Sequence, residues 1–269
     1  MLTNPRSDRV KAVRSLQKRS VRQRTGRFCV EGPQGVREAV RHAPARVRDV
    51  YLTPEAAARY ADDIVAPARA ERLWVHEVSP EVLAAMAESE APQGVLAVVD
   101  DVPATLAQVL AGRPRLLVLL THVRDPGNAG TVIRGADAAG ADAVLVSDAS
   151  VDVLSPKVVR STAGSLFHLP VVTDLDVATT LASLREHGVR TLAADGAGPS
   201  DLTEVDLTAP HCWVMGNEAW GLPEETTALC DDVVRVPIHG HAESLNLAMA
   251  ATICLYASAG VLRPGPTAR

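Results

Sequence analysis

The chain has 269 residues, 47% of them hydrophobic and 22% charged, with a net charge of −5 at neutral pH. That length suits one large or two medium domains with a real core. Its longest apolar runs, at 116–120 and 248–260, are too short or too mixed to span a bilayer and no signal pattern opens it, so the expected compartment is the cytoplasm, with no membrane partner.

The first element carries a charge asymmetry that the net value hides. Residues 1–27 hold nine Lys or Arg against the single acid Asp8, a charge of +8 that leaves −13 on the remainder. A basic arm on an acidic body points to a local polyanion contact. No aromatic residue interleaves the arm, which favours phosphate contacts over a stacking platform. Val10, Val13 and Leu16 recur at helical spacing between the charges, so the arm includes an amphipathic helix.

Strand and helix signals then alternate. "RFCVEG" reads as a strand, "PQGVREAVRHA" as a helix, "VRDVYLT" as a strand, "PEAAARYADDI" as a helix and "RLWVHEV" as a strand. "SPEVLAAMAES" follows as a helix with Ser79 as N-cap and Pro80 in its first turn, and "GVLAVVD" closes the run as a strand. Such alternation predicts a small α/β layer over 1–105. Prolines flank "DVPATLAQVLAGRP", which reads as a linker with a short helix and sets the boundary at 105–113.

The second domain, 113–269, restarts with the wholly apolar "LLVLL", the pattern of a parallel strand buried on both faces. Further strands are predicted at "AVLVS", "LPVV", "RTLAAD", "CWVMG" and "VVRVPI", and a buried, nearly all-apolar helix over 243–259. Four scattered cysteines, Cys29, Cys212, Cys230 and Cys254, lack metal-ligand spacing and read as reduced thiols in the core. His239 and His241 form "HGH" without a third ligand in sight, so no metal site is expected.

Three loops after predicted strands carry the chemistry: "DPGNAGTVIRG", "GNEAWGLP" and "VPIHGHAESLNLAMA". Loops at the carboxyl ends of parallel strands converge on one crevice. Gly127, Gly130 and Gly135 do not make the dinucleotide fingerprint, no phosphate-binding GxxxxGK[ST] is present, and "ESLNL" is not a nucleophile elbow.

Together, and in order, "NAGTVIRGADAAGA", "VMGNEAWGLP" and "VPIHGHAESLNLAMAATI" resemble the three signature motifs of the SpoU-type (TrmH-like) RNA 2′-O-ribose methyltransferases of the SPOUT superfamily, and "FCVEGPQGVREAV" resembles the substrate-binding domain that precedes the catalytic domain in many members. The resemblance implies a small α/β substrate-binding domain before an α/β catalytic domain with a deep trefoil knot, a homodimer, and S-adenosylmethionine as methyl donor. It assigns donor binding to Met215, Gly216, Val236, Ile238 and Leu245, with Ala194 at the end of "RTLAA" as an addition, and it implies no metal. It places Asn128 and Arg134 in the catalytic centre with Glu218, Ser244 and Asn246. Because a guanidinium stays protonated, Arg134 is expected to clamp a phosphate rather than to accept a proton. Trp220, a bulky residue within the second motif, and "HGH", in a stretch of the third that varies among relatives, depart from the family pattern and are expected to shape the choice of RNA. Ribosomal RNA is the expected partner. A transfer-RNA substrate, or a non-catalytic RNA-binding assembly factor of the same fold, are the alternatives, and the intact catalytic set weighs against the second.

Overall fold

The computed structural model of the protein describes residues 1–262, so the expected end of the second domain at 269 lies outside the described residues. In chain order the elements begin α1 (Asp8–Ser15), α2 (Arg19–Thr25), β1 (Arg27–Glu31), α3 (Pro33–His42), β2 (Val47–Leu52), α4 (Pro54–Arg59), α5 (Ala66–Ala70), β3 (Trp74–Glu77), α6 (Pro80–Met86) and β4 (Val95–Asp100). They continue α7 (Leu106–Ala111), β5 (Leu116–Leu120), α8 (Pro126–Ala139), β6 (Ala143–Ser147), α9 (Pro156–Ser161), β7 (Val171–Leu175), α10 (Val177–Glu186), β8 (Arg190–Ala194), β9 (Ser200–Asp201), β10 (His211–Met215), α11 (Glu224–Leu229), β11 (Asp232–Arg235) and α12 (Leu247–Leu262).

By packing, these elements form two units. The first is Met1–Val102 with Asp152–His168, and the second is Pro103–Val151 with the described chain from Leu169 onward. Sequence order alone puts 152–168 inside the second domain, whereas ion pairs fasten it to the first. Asp152 pairs with Arg22, and Arg160 reaches Glu31 at 3.2 Å and Glu88 at 2.6 Å, while α9 packs on β1.

The first unit is a four-stranded sheet in the order β1-β4-β2-β3, antiparallel except for the β2–β3 pair. Its basic N-terminus is no free arm. Val10, Val13 and Leu16 are buried in one cluster with Cys29, Tyr51, Val82, Leu83 and Leu96. Arg22 is 5% exposed and donates to the Leu16 and Gln17 carbonyls at 2.8 Å, so it is structural. The other eight cations of 1–27 are exposed. The predicted helix after β2 is interrupted by a π-helical turn at Ala61–Val65. Ser79 caps α6 as expected, accepting from the Val82 amide at 3.3 Å.

The second unit is a seven-stranded parallel sheet in the order β7-β6-β5-β10-β8-β11-β9. The apolar strands β5, β6 and β10 are buried at every position, as expected for a sheet covered on both faces. Strand β10 lies between β5 and β8, and β11 follows on the far side of β8, so the last segments insert into a sheet whose neighbours precede them. Helix α12 begins at Leu247 rather than 243, because Asn246 caps it, accepting from the Ala248 and Met249 amides at 2.9 and 3.3 Å. It is not wholly buried either: Met249, Ile253 and Tyr256 are 59%, 40% and 53% exposed, a stripe at helical spacing. Cys29, Cys212 and Cys254 are buried free thiols and Cys230 is half-buried, with burial pushing the Cys29 and Cys254 thiols up to about 12 and Cys230 to about 11. Among the described residues no helix is long and apolar enough to cross a membrane.

Candidate active site

A cavity of ≈ 460 Å³ opens at the carboxyl ends of β8, β10 and β11, closed by the loop that leads into α12. All six residues expected to hold the donor line it: Ala194, Met215, Gly216, Val236, Ile238 and Leu245. Glu218, Ser244 and Asn246 line it as well. Sequence reasoning missed Asp195, Asn217 and Glu243, which also face it. The strand-end position of Asp195, next to Ala194, was the available signal.

The loop after β10 is built to stay in place. Asn217 and Gly221 exchange two backbone hydrogen bonds of 2.9 Å across its turn. Gly221 holds φ +69°, a conformation that favours glycine. Gly216 is needed for a reason the sequence did not reveal: a Cβ there would lie 2.3 Å from the Gly221 carbonyl carbon. It is the loop's own backbone that leaves no room. Buried Asn217 ties the loop to the one after β5, donating from Nδ2 to the His122 carbonyl at 2.6 Å and accepting from the Ala219 amide at 2.8 Å.

Glu218 extends that tie. Its carboxylate accepts from the Arg124 and Asp125 amides at 3.2 and 3.1 Å, and from Asn128 Nδ2 at 3.2 Å. Asn128 stands in the first turn of α8, where Asp125 caps the helix by accepting from the Asn128 amide at 2.7 Å. Asn246 Nδ2 in turn donates to Asn128 Oδ1 at 3.0 Å. One residue from each signature loop therefore meets in a single chain of hydrogen bonds at the cavity rim. Ser244 is exposed beside it and, among the described residues, has no hydrogen-bond partner.

Arg134 is not brought into this network. Six residues beyond Asn128 on α8, it lies about 9 Å further along the axis and roughly 120° around it from geometry alone. It is exposed and makes no hydrogen bond or ion pair with the described residues. Trp220, at the tip of the loop, is 55% exposed with the Arg124 guanidinium 6.0 Å from its ring centroid. Among the described residues the lining contains three carboxylates, Asp195, Glu218 and Glu243, and no Lys, Arg or His. With apolar Met215, Val236, Ile238 and Leu245, such a lining fits S-adenosylmethionine, a ligand with a flat apolar base and a cationic sulfonium and ammonium.

Comparisons with known proteins agree with this geometry. Residues 115–256 match the model of the SpoU rRNA Methylase family, and residues 7–97 match that of an MRM3-like substrate binding domain. The chain is 35% identical over 248 residues to the 23S rRNA (uridine(2479)-2′-O)-methyltransferase of Streptomyces viridochromogenes, spanning 90% of this chain and 85% of that one. It is 31% identical over 255 residues to the 23S rRNA (guanosine(2553)-2′-O)-methyltransferase RlmP of Bacillus subtilis, spanning 95% and 97%. The crystal structure of an AdoMet-bound rRNA methyltransferase from Sinorhizobium meliloti superposes with a TM-score of 0.82 at 30% identity, covering 96% of both chains.

Proposed function

The chain belongs to the SpoU rRNA Methylase family, and from that membership and the site's geometry we propose that it is an S-adenosylmethionine-dependent 2′-O-ribose methyltransferase acting on ribosomal RNA. The observation that carries the reading is the Asn246–Asn128–Glu218 chain of hydrogen bonds at the rim of a cavity lined by carboxylates and apolar side chains.

S-adenosylmethionine, when bound, supplies an electrophilic methyl group on a sulfonium. Met215, Val236, Ile238 and Leu245 hold its apolar part, Ala194 and Gly216 contribute backbone, and the carboxylates face its cationic part. A ribose 2′-hydroxyl is a weak nucleophile near neutral pH, so the protein must aim it and ease the loss of its proton. Asn128 is the positioning hub, locked by partners on both ends of its amide. Ser244, whose hydroxyl has no partner among the described residues, stands at the same rim and bonds the ribose. Arg134, exposed and without a partner among the described residues, clamps the phosphate of the target nucleotide through its planar fork. Trp220 with Arg124 offers a face on which a neighbouring base stacks.

Residues 1–105 are the RNA-docking domain, with the exposed cations of α1 and α2 tracking phosphates. The catalytic domain, 113–269 apart from the segment 152–168 that packs with the first unit, carries a trefoil knot, a reading supported by the insertion of β10 between β5 and β8. The exposed stripe Met249, Ile253 and Tyr256 is the surface that a second copy covers in a homodimer. The enzyme works in the cytoplasm, with its ribosomal substrate. The test is incubation with methyl-labelled S-adenosylmethionine and either protein-free 23S ribosomal RNA or bulk transfer RNA. Label in the ribosomal RNA alone is expected. Label in transfer RNA alone would move the substrate, and donor binding without transfer to any RNA would leave a binding factor.

A further inference from the structure

Glu38 and His42 are four residues apart on α3, so the helical repeat puts both on one face. His168, at the end of the segment Asp152–His168, meets them in the first unit. Glu38 Oε2 lies 3.3 Å from His42 Nε2 and 3.1 Å from His168 Nε2. The two imidazole rings stand edge to face with centroids 4.5 Å apart, and the three ligand atoms all lie within 4.8 Å of one another. Atoms bound tetrahedrally to an ion at about 2.0–2.1 Å sit roughly 3.3 Å apart. Both imidazoles thus already stand at the edge length of such a polyhedron from the same carboxylate oxygen.

The carboxylate is held there by packing. Gly164 has φ +101°, and a Cβ on it would lie 2.5 Å from Glu38 Cγ and 2.7 Å from Glu38 Cβ. The stem of Glu38 occupies the space that any other residue at 164 would fill, which fixes its head between the two rings. The Glu38 side chain is 19% exposed and His42 51%, leaving an open side for a fourth, solvent ligand.

We infer that Glu38, His42 and His168 form a site for a divalent transition-metal ion of the zinc class, which pins the end of the Asp152–His168 segment to α3. Two imidazoles and one carboxylate are a donor set suited to zinc rather than to magnesium or calcium, which prefer all-oxygen shells. None of the three residues lines the methyl-donor cavity. The site's role is structural, and it stands whether or not the proposed activity does.

The test uses the untagged full chain, stripped with chelator and titrated calorimetrically with zinc chloride, with cobalt chloride as a spectroscopic probe. One equivalent of zinc should bind, and cobalt should show the intense visible bands of tetrahedral coordination. His168→Ala and His42→Ala should each weaken zinc by at least about 100-fold, more than the loss of an outer-shell partner costs, while His239→Ala leaves it unchanged. His42 is half-exposed at the end of its helix, so its replacement serves if His168→Ala does not fold. Binding to His42→Ala as tight as to the native chain, or no binding at all, would overturn the site and leave two histidines hydrogen-bonded to a glutamate.

Discussion

Asn128 and Glu218 lie 90 residues apart in sequence and are joined by a 3.2 Å hydrogen bond from Asn128 Nδ2 to Oε1, on a carboxylate already held by two backbone amides. Because Asn246 donates to the other end of the same amide, Asn128 has one orientation available. Loss of that orientation should cost rate rather than donor binding, since Asn128 does not itself line the cavity. Asn128→Ala is expected to lower single-turnover methyl transfer about 100-fold, the scale of a misplaced reactant. Calorimetric affinity for S-adenosylmethionine should stay within about twofold. Asn246→Ala should slow transfer similarly but also weaken donor binding and the start of α12, because Asn246 lines the cavity and caps that helix. In transfer rate the double variant should be no worse than Asn246→Ala alone, because coupled residues do not add.

Arg134 offers the opposite case, an exposed helical residue that touches nothing in the described chain. Its replacement by Ala should leave stability within about 0.5 kcal/mol, as for ordinary surface sites. Methyl transfer at saturating RNA should nevertheless be lost. Arg134→Lys should rescue it poorly, because an ammonium keeps the charge without the bidentate fork. A wild-type single-turnover rate in the Ala variant would remove Arg134 from the chemistry.

The basic helices predict two different outcomes for cations within one stretch. Reversing the exposed charges Arg6, Arg14, Lys18 and Arg24 should weaken RNA binding and flatten its dependence on the logarithm of salt by roughly 0.7–0.9 for each phosphate no longer neutralised. Folding should be unaffected. Arg22→Ala should instead destabilise the first unit by about 1.5–3 kcal/mol, since it removes the charge-assisted hydrogen bonds of a buried guanidinium and leaves half-buried Asp152 without it. Urea unfolding and salt-dependent RNA titration of the two variants separate these effects.

His211 gives a pH dependence whose direction follows from its surroundings. Buried on β10 between the Ala209 carbonyl at 2.8 Å and Ser258 Oγ at 2.7 Å, it is held below the usual histidine range, first by burial and further by the Arg190 and Arg115 charges. The unfolded chain therefore takes up a proton at a higher pH than the folded one. Its contribution is present above about pH 6.5, the unfolded value, and is lost as pH falls below it toward the folded value. Urea midpoints of the native chain should drop between pH 7.5 and 5.5 by more than those of His211→Gln. Equal drops would assign the acid sensitivity elsewhere.

Much of this architecture was legible in the sequence. The wholly apolar run at 116–120 and the nearly apolar run at 143–147 read as strands covered on both sides, and three glycine- and Asn-bearing loops after predicted strands were expected to share a crevice. The resemblance of those loops to the family's motifs, not the strand pattern, named the donor-site residues, and all six line one cavity. Long-range packing was not legible. Nothing local marks 152–168 for the first unit, because the ion pairs of Asp152 and Arg160 join residues over 70 apart in sequence. Arg22 looked like its exposed neighbours until the fold buried it. Gly216 was expected as a donor-binding residue, and nothing in the sequence marked the backbone of Gly221 as its tightest neighbour. The two-residue strand β9 is too short to leave a periodic signal.

The central claim is that the chain methylates a ribose hydroxyl of ribosomal RNA, and alkaline hydrolysis tests it most directly. A 2′-O-methyl group removes the hydroxyl through which alkali cleaves the neighbouring phosphodiester, so the modified position survives as a dinucleotide. After reaction with methyl-labelled S-adenosylmethionine, 23S ribosomal RNA treated with alkali should yield its label in one alkali-stable dinucleotide, and none with the Asn128→Ala, Arg134→Ala double variant. Label recovered in mononucleotides would mean methylation of a base, and would contradict that claim.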